Sequence, residues 1–155
     1  MQAQHIAAPY PTVRADSRAS DAARLLTEVG RPGLIVVDAN DHPVAILPGS
    51  QVLRFLIPRY VQDDPALARV LDEEFADHLC DALEEKTVRD LLPKERVPLP
   101  IVAPDDTMLE IAAIMAANRC PLVAVVESMS KTAPMIGAIS VSQLLARLMP
   151  EAATT

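Results

Sequence analysis

The feature that most constrains this chain of 155 residues is an internal repeat. The stretch Val13–Asp38 aligns without a gap with Val102–Glu127, at a shift of 89 positions. After a turn of different length the match resumes at a shift of 92, where Ser50-Gln51 falls on Ser142-Gln143. Self-similarity over this length indicates two copies of one supersecondary unit that pack together.

Each copy is predicted to have the element order β-α-β-β-α. A short extended piece, near Val13 or at Ile101-Val102, comes first. A helix follows, which begins after the N-cap residues Asp16-Ser17 or Asp105-Asp106-Thr107. Continuous apolar runs at Leu34–Val37 and Leu122–Val126 are predicted to be buried strands. After a polar turn, a second strand is predicted at Val44–Leu47 or Met135–Ile139.

Apolar residues at helical spacing predict which face of each helix is buried. In the first helix of each copy, that face consists of Ala22, Leu25, Leu26 and Val29, or of Leu109, Ala112, Ala113, Met115 and Ala116. A second helix closes each copy, at Ser50–Ile57 or Ser140–Met149. This alternation of helices and strands places the chain in the α/β class.

The segment between the copies differs in character. Asp64-Pro65 is a strong helix start, because proline is favoured at the first helical position. Residues 65–83 are predicted to form one amphipathic helix. Its apolar stripe consists of Leu67, Val70, Leu71, Phe75, Leu79 and Leu83. A helical turn at Val88–Leu92 and an extended connector, Pro93–Pro100, follow. We therefore expect a first repeat at 8–58, a helical linker or insertion at 59–96 and a second repeat at 97–150.

Composition excludes several functional classes. The net charge is −7 and the basic residues are scattered singly, which argues against a general nucleic-acid binder. An aromatic fraction of 3% leaves no stacking platform for single strands. Cys80 and Cys120 form no CxxC motif, and we expect no disulfide framework. The sequence has no apolar run long enough to span a membrane and no signal-peptide pattern, so we expect a cytoplasmic protein.

Catalysis has little support in the sequence. His5, His42 and His78 lie apart from any nucleophile motif. The acidic pairs Asp63-Asp64 and Asp105-Asp106 directly precede predicted helices and are interpreted as caps. With only 4 glycines, the sequence has no glycine-rich phosphate loop. We therefore expect a protein that is not an enzyme and that requires no cofactor or metal.

The duplicated unit resembles the CBS domain family. In that family a strand ending in VVD is followed by a turn and then by a glycine, two apolar residues and a polar segment that opens the last helix. The corresponding stretches here are VVD at 36–38 with AILPGSQ at 45–51, and VVE at 125–127 with GAISVSQ at 137–143. TVRDLL at 87–92 is similar to the segment that leads into a CBS repeat. The resemblance covers residues 10–150 apart from the insertion.

The resemblance implies a tandem CBS pair, or Bateman module. Its fold would be α/β (α+β), with two β-α-β-β-α repeats packed as a pseudo-twofold pair around an inserted linker helix. Such pairs bind adenosine nucleotides, and in some cases S-adenosylmethionine, in clefts between the repeats. They commonly form homodimers and regulate an enzyme, channel or transporter. We therefore expect a regulatory module whose ligand is of the AMP, ADP or ATP class.

Family position also implies which residues would contact such a ligand. Those of the second repeat are Val102, Ala103, Pro104, Cys120, Pro121, Leu122, Ser140, Ser142 and Gln143. Arg14, Arg31 and Gln51 are the candidates in the first repeat, and Arg119 is a further cation that could meet phosphate. The family's ribose carboxylate is replaced by glutamine at 51 and 143, which is a weaker acceptor. Pro48 replaces the hydroxyl that the second repeat retains in Ser140, so the second repeat is the better candidate site.

Each candidate also has a structural interpretation. Ser140 is a good helix N-cap with or without a ligand. Gln51 and Gln143 could be solvated residues of a first helical turn, and the arginines could be surface charges or ion-pair partners. Cys120 could be a small, half-buried residue. The alternative to a ligand sensor is therefore a CBS pair that has lost its ligand and serves dimerisation or protein interaction, with the acidic, apolar linker helix as a docking surface.

Overall fold

The computed structural model describes residues 1–95 and 99–150. Its strands are β1 Thr12–Arg14, β2 Gly33–Val37, β3 Pro43–Pro48, β4 Ile101–Val102, β5 Leu122–Val126 and β6 Met135–Ser140. Its α-helices are α1 Ala3–Ile6, α2 Ala19–Val29, α3 Gly49–Leu56, α4 Arg59–Asp63, α5 Glu73–Asp77, α6 Val88–Leu91, α7 Met108–Asn118 and α8 Val141–Leu148. Two 3-10 helices, Pro65–Val70 and Leu79–Leu83, flank α5. Within the described ranges, no helix is both long and apolar enough to cross a membrane.

The strands form two three-stranded sheets, with the orders β1-β2-β3 and β4-β5-β6. In the second sheet β4 runs parallel to β5, and β5 runs antiparallel to β6. All five residues of β2 and all five of β5 are buried, as expected for strands that read as continuous apolar runs. The mixed α/β class and each predicted strand are thereby confirmed, to within one residue at either end.

The chain divides into two compact units, and neither corresponds to one uninterrupted repeat. The first-repeat unit consists of residues 11–36 and 45–95. The second-repeat unit consists of Met1–Tyr10, Val37–Val44 and the described residues 99–150. The predicted boundaries at 58 and 96 were drawn from the repeat alone and stay a prediction. The second of them lies outside the described residues, as does part of the predicted connector Pro93–Pro100.

Backbone hydrogen bonds recur at equivalent positions in the two repeats. Ile35 N–H donates to the Pro11 carbonyl at 3.1 Å, and Ala124 N–H donates to that of Pro100 at 3.0 Å. These two pairs are related by the shift of 89. Past the turn, Ile57 donates to Leu53 and Met149 donates to Leu145, as the shift of 92 requires. The duplication read from the sequence is therefore a duplication of structure.

The short helices α1 and α6 dock in the same way on different repeats. Val88 and Arg89 of α6 donate to the carbonyls of Ser17 and Ala15, at 2.9 and 3.0 Å. Ala3 and Gln4 of α1 donate to Asp106 and Pro104, at 2.8 and 2.9 Å, and these acceptors lie 89 positions after the first two. Thus α1 precedes the first repeat but packs in the second-repeat unit, while α6 precedes the second repeat but packs in the first-repeat unit. The predicted helical turn at Val88–Leu92 is confirmed, whereas α1 was not predicted.

Each unit has its own apolar core. In the first-repeat unit, α2, α3 and α6 cover β2 and β3; buried residues of this core include Ala19, Ala22, Leu34, Val36, Leu47, Val52, Val88 and Leu91. In the second-repeat unit, α1, α7 and α8 cover the sheet; its buried core consists of Ala3, Ile6, Val102, Ile111, Met115, Val123, Val125, Ile139 and Leu144. Both cores are aliphatic, in agreement with the low aromatic content.

The prediction of one helix over residues 65–83 was wrong. The segment is broken into a 3-10 helix, α5 and a second 3-10 helix, because the backbone is extended at Leu71 and Asp72. The Asp72 carboxylate accepts from the Phe75 N–H at 2.9 Å and so starts a new helix at this point. The middle of the stripe also lacks a core to pack on, since Val70 is 78% exposed and Phe75 is 36% exposed. Only at its end does Leu83 pack in the first-repeat core. A helix of this length depends on such packing for its stability.

The predicted N-cap of α2 was also wrong. The cap residue is Arg18, which makes no side-chain capping bond, and not Asp16 or Ser17. Instead, Arg18 forms a β-bridge with Thr87 and an ion pair with Glu84 at 3.4 Å. The equivalent cap of α7 is Thr107, whose hydroxyl accepts from Glu110 N–H at 3.3 Å. Of the predicted residues Asp105-Asp106-Thr107, Thr107 is therefore confirmed as the cap.

Asp90 gives α6 a pH-dependent cap. Its carboxylate accepts the Thr87 N–H at 2.9 Å and the Thr87 hydroxyl at 3.2 Å, and these two bonds, the backbone one first, lower the pKa of Asp90. A lowered folded-state pKa contributes stability above the unfolded pKa of about 3.9, and that stability is lost as pH falls through the folded value. We expect Asp90→Asn to destabilise the protein more at pH 7 than at pH 3 in urea unfolding. An equal effect at both pH values would contradict this.

Candidate ligand site of the second repeat

The beginning of β5 and the end of β6 form one edge of the second sheet. Leu122 pairs with Ser140 across the two strands, and the Pro121 carbonyl accepts from the Val141 N–H at 3.0 Å. The structure therefore brings together two of the predicted groups, Cys120–Leu122 and Ser140–Gln143. We call these residues the β5–β6 edge.

Ser140 and Gln143 close a reciprocal capping box at the start of α8. The Ser140 Oγ accepts from Gln143 N–H at 3.2 Å, and the Gln143 Oε1 accepts from Ser140 N–H at 2.8 Å. The Ser140 Oγ also lies 3.0 Å from Gln143 Oε1 and 3.0 Å from Ser142 Oγ. Ser140 is half-buried and Ser142 is exposed. In this arrangement both hydroxyls lie at the positive end of an eight-residue helix, where anions are stabilised.

Cys120 and Leu122 stabilise the edge from inside. The Cys120 thiol donates to the Leu122 carbonyl at 3.0 Å, and the Cys120 N–H donates to the Met115 carbonyl at 3.2 Å. Cys120 is a free thiol that is only 7% exposed, and Leu122 is also buried. Pro121 is exposed between them. It is thus the apolar side chain of this group that a ligand could contact without rearrangement.

Val102, Ala103 and Pro104 lie at the other end of the sheet. Val102 pairs with Val125, which is three residues from Leu122 and so about 10 Å away along the strand. The Val102 side chain is fully buried in the core of its unit. Ala103 donates its N–H to the Asp106 carboxylate at 2.9 Å, and the Pro104 carbonyl accepts from Gln4 of α1. The structure therefore does not bring these three residues to the β5–β6 edge.

The candidate arginines are exposed. Arg14 forms a surface ion pair with Asp16 at 3.2 Å, and such pairs contribute little to stability. Arg119 adopts a left-handed backbone with φ 49°, at the position where the first repeat has Gly30 with φ 62°. A side chain in this conformation costs about 1–2 kcal/mol relative to a right-handed one. Arg119 directly precedes Cys120, the first residue of the β5–β6 edge. Of the three candidate arginines, it is therefore the nearest in sequence to this edge.

The histidines and cysteines do not form a metal centre. His42 Nδ1 lies 2.7 Å from the Ala133 carbonyl, and His78 pairs with Asp81 at 2.8 Å. Both interactions join turns or short helices. Among residues 1–95 and 99–150, no group of three or more His, Cys, Asp and Glu residues could hold a metal ion.

Comparisons with known proteins identify the duplicated unit. Residues 4–58 match the family model of the CBS domain. The whole chain is also similar to the crystal structure of a CBS domain-containing protein of unknown function from Kribbella flavida. The two are 52% identical, with a TM-score of 0.86, and the match covers 96% of this chain and 98% of the other. The chain belongs to the CBS-domain family.

Other solved structures share the fold. The CBS domain of a membrane protein from Sphaerobacter thermophilus is 25% identical, with a TM-score of 0.73 and coverage of 97% of this chain and 90% of that one. CBSX2, whose structure was determined in complex with AMP, is 18% identical, with a TM-score of 0.63 and coverage of 95% of each chain. No curated protein matches the chain. Because the repeats share their backbone hydrogen bonds, the protein is a tandem pair of CBS repeats.

The first CBS repeat lacks the capping box of the second. Pro48 is the N-cap of α3 and makes no side-chain capping bond, since proline has neither a hydroxyl nor an N–H. Gln51, at the position of Gln143, instead donates Nε2–H to the Leu91 carbonyl at 2.9 Å. Gln51 therefore joins α3 to α6 and is occupied in a structural role.

Sequence reasoning missed two contributors to the second CBS repeat, α1 and Asp106. Asp106 was interpreted as a helix cap, but its carboxylate closes the turn after β4. A signal for α1 was present in the sequence, because the apolar spacing of Ala3 and Ile6 matches that of Val88 and Leu91 at a shift of 85. A four-residue helix is too short for periodicity to reveal it without that comparison.

Proposed function

We propose that this CBS-domain regulatory module is a non-catalytic sensor that binds an adenosine-containing ligand of the AMP, ADP or ATP class at the β5–β6 edge and regulates a partner enzyme or transporter. The observation that carries the proposal is the pair of hydroxyls of Ser140 and Ser142, 3.0 Å apart at the N-terminus of α8. Hydroxyls and helix amides there suit phosphate or ribose oxygens. The complex of CBSX2 with AMP supports the adenosine class.

The proposal assigns different roles to the two CBS repeats. Ser140 provides a hydroxyl and an N–H, whereas Pro48 provides neither. The half-buried Gln51 is engaged with Leu91. The ligand is therefore assigned to the second repeat, with Pro121 as an apolar contact and Arg119 as the cation for phosphate.

A second candidate function, protein interaction, is supported by exposed apolar residues. On α8 these are Val141, Leu145 and Leu148, followed by Met149, which is 65% exposed; they suit a homodimer contact. Within the predicted insertion at 59–96, residues 63–85 contain nine acidic residues and one arginine, a net charge of −8, while the rest of the chain is close to neutral at +1. Leu67, Val70 and Phe75 are exposed within that segment. Acidic and apolar groups together suit a basic partner surface.

Thermal unfolding with AMP, ADP, ATP and S-adenosylmethionine, with and without Mg²⁺, tests the sensor proposal. A ligand at 100 times its Kd is expected to add about 2.7 kcal/mol to the free energy of unfolding, seen as a raised Tm. Ser140→Trp is expected to abolish that shift, because the indole fills the space beside the two hydroxyls. Pro48→Trp, at the equivalent position of the first repeat, is the matched control and should leave the shift unchanged.

Two outcomes would contradict the proposal. If Ser140→Trp binds as tightly as the natural chain, the ligand lies elsewhere. If no adenosine compound raises Tm at millimolar concentration, the chain is better explained as an interaction module, and the search moves to a basic protein partner.

A further inference from the structure

The two CBS repeats hold an equivalent glutamine in two different hydrogen bonds. Gln51 and Gln143 both occupy the third position of a closing helix, α3 or α8. Gln51 donates from Nε2 to the Leu91 carbonyl of α6. Gln143 instead accepts from the Ser140 N–H through Oε1. A glutamine at this position of the closing helix can therefore bond either to the neighbouring short helix or to its own N-cap residue.

The residue at the N-cap decides which partner the glutamine takes. Ser140 offers an N–H and a hydroxyl, which lie 2.8 and 3.0 Å from Gln143 Oε1. Pro48 offers no donor at all. Without a donor at the cap, Gln51 is turned away from it and reaches the last residue of α6. The first repeat therefore shows the position that the glutamine adopts when the cap does not hold it.

The second repeat has a backbone carbonyl at the position that corresponds to Leu91. α1 is seated on that repeat through the same pair of backbone bonds that seat α6 on the first. Ile6 ends α1 as Leu91 ends α6. Because both helices are seated alike, the Ile6 carbonyl is the acceptor that Gln143 would meet in the orientation of Gln51.

We propose that Gln143 is a two-position switch that couples occupancy of Ser140 to the docking of the N-terminal helix α1. The inference rests on the proposed function, because the natural trigger is a ligand oxygen at Ser140. Such an oxygen accepts from the Ser140 N–H and hydroxyl and so competes with Gln143 Oε1 for both donors. The displaced carboxamide then donates to the Ile6 carbonyl and holds α1 more firmly. Ligand binding is thereby transmitted to the N-terminal segment.

The switch can be tested without a ligand by giving the second repeat the cap of the first. Ser140→Pro removes the hydroxyl and the N–H, whereas the matched control Ser140→Ala removes only the hydroxyl and keeps the donor that holds Gln143. Hydrogen exchange of the amides of Ala3, Gln4, Ala7 and Ala8 is the measurement. We expect exchange about fivefold slower in Ser140→Pro than in Ser140→Ala, the factor that corresponds to one net hydrogen bond.

A double variant shows whether Gln143 carries the effect. In Ser140→Pro/Gln143→Ala the slower exchange should disappear. Equal exchange in Ser140→Pro and Ser140→Ala would overturn the switch, as would slow exchange that persists without Gln143.

If Ser140→Pro does not fold, the reverse change in the first repeat provides the test. Pro48→Ser should capture Gln51 in a capping box and speed the exchange of Arg89 and Leu92 about fivefold, and unchanged exchange there would overturn the switch.

AMP distinguishes failure of the switch from failure of the proposed function. If AMP raises the Tm of both the natural chain and Gln143→Ala, it should slow exchange at Ala7 and Ala8 in the natural chain only. Slowing that is equal in both proteins would overturn the switch while leaving the binding site intact. If AMP does not bind, the proposed function fails for this ligand, and the comparison of the proline and alanine variants still decides the switch.

Discussion

Ile111→Ala is expected to lower the free energy of unfolding by about 2–5 kcal/mol, the range for isoleucine truncation in a packed core. Ile111 lies on α7, is fully buried and belongs to the core of the second-repeat unit with Met115 and Val125. The substitution removes apolar surface from the core and leaves a cavity that aliphatic neighbours fill only in part. Urea unfolding monitored by circular dichroism would measure the change.

Leu109→Ala is the matched control on the same helix. Leu109 is 74% exposed, and surface substitutions of this kind usually change stability by less than about 0.5 kcal/mol. The pair also tests which face of α7 is buried. A costly Leu109→Ala combined with a harmless Ile111→Ala would mean that the helix is rotated relative to the structure described above.

The face of α7 is where sequence periodicity was wrong. Of the predicted buried face, Met115 is buried and Ala112 packs against the core, but Leu109, Ala113 and Ala116 are exposed. The fully buried Ile111 was not predicted. α7 is apolar on nearly every side, so several helical stripes satisfy the same spacing. α2 carries polar residues between its apolar ones, and its predicted face was confirmed by burial of Ala22 and packing of Leu25 and Leu26 against the core.

The strands could be predicted because a fully buried strand is a run of consecutive apolar residues. β5 is five consecutive apolar residues with a proline before it and a polar turn after it, and the repeat supplied a second example in β2. The insertion could not be predicted in the same way. Its stripe has helical spacing, but spacing does not reveal whether a core is available beneath it, and here Val70 and Phe75 face no core.

The candidate site was predictable only in part. Ser140 was recognised as a cap by residue type and as a ligand group by family position, and the structure shows the capping role. Val102 was selected by family position alone, and it is a core residue. The role of Gln51 depends on a carbonyl 40 residues away in sequence, and no local pattern indicates such a contact.

Gly137→Ala is expected to destabilise the protein by about 1–3 kcal/mol, the usual cost of overpacking a filled site. An added Cβ would lie 3.0 Å from the Ala7 Cβ and 3.0 Å from the Ala8 carbonyl oxygen. That carbonyl cannot move freely, because Ala8 and Ala138 exchange two backbone hydrogen bonds at 2.9 and 3.0 Å. The methyl group must therefore push the N-terminal segment a few tenths of an ångström away from β6 and weaken these two bonds, with faster hydrogen exchange at Ala7 and Ala8.

Gly49→Ala is the control for Gly137→Ala and should have the opposite sign. Gly49 is the first residue of α3, and its added Cβ would meet only the Pro32 carbonyl oxygen, at an ordinary 3.5 Å. Alanine there restricts the unfolded chain and favours the helix, which stabilises by about 0.4–1 kcal/mol. In the first repeat, an alanine, Ala45, already stands at the position of Gly137. The residue at the position of Ala8 is Pro93, which has no N–H with which to form the bridge that Ala8 forms with Ala138. If Gly137→Ala were as harmless as Gly49→Ala, the N-terminal segment would not be held against β6, and the coupling of α1 to the second CBS repeat would lose its structural basis.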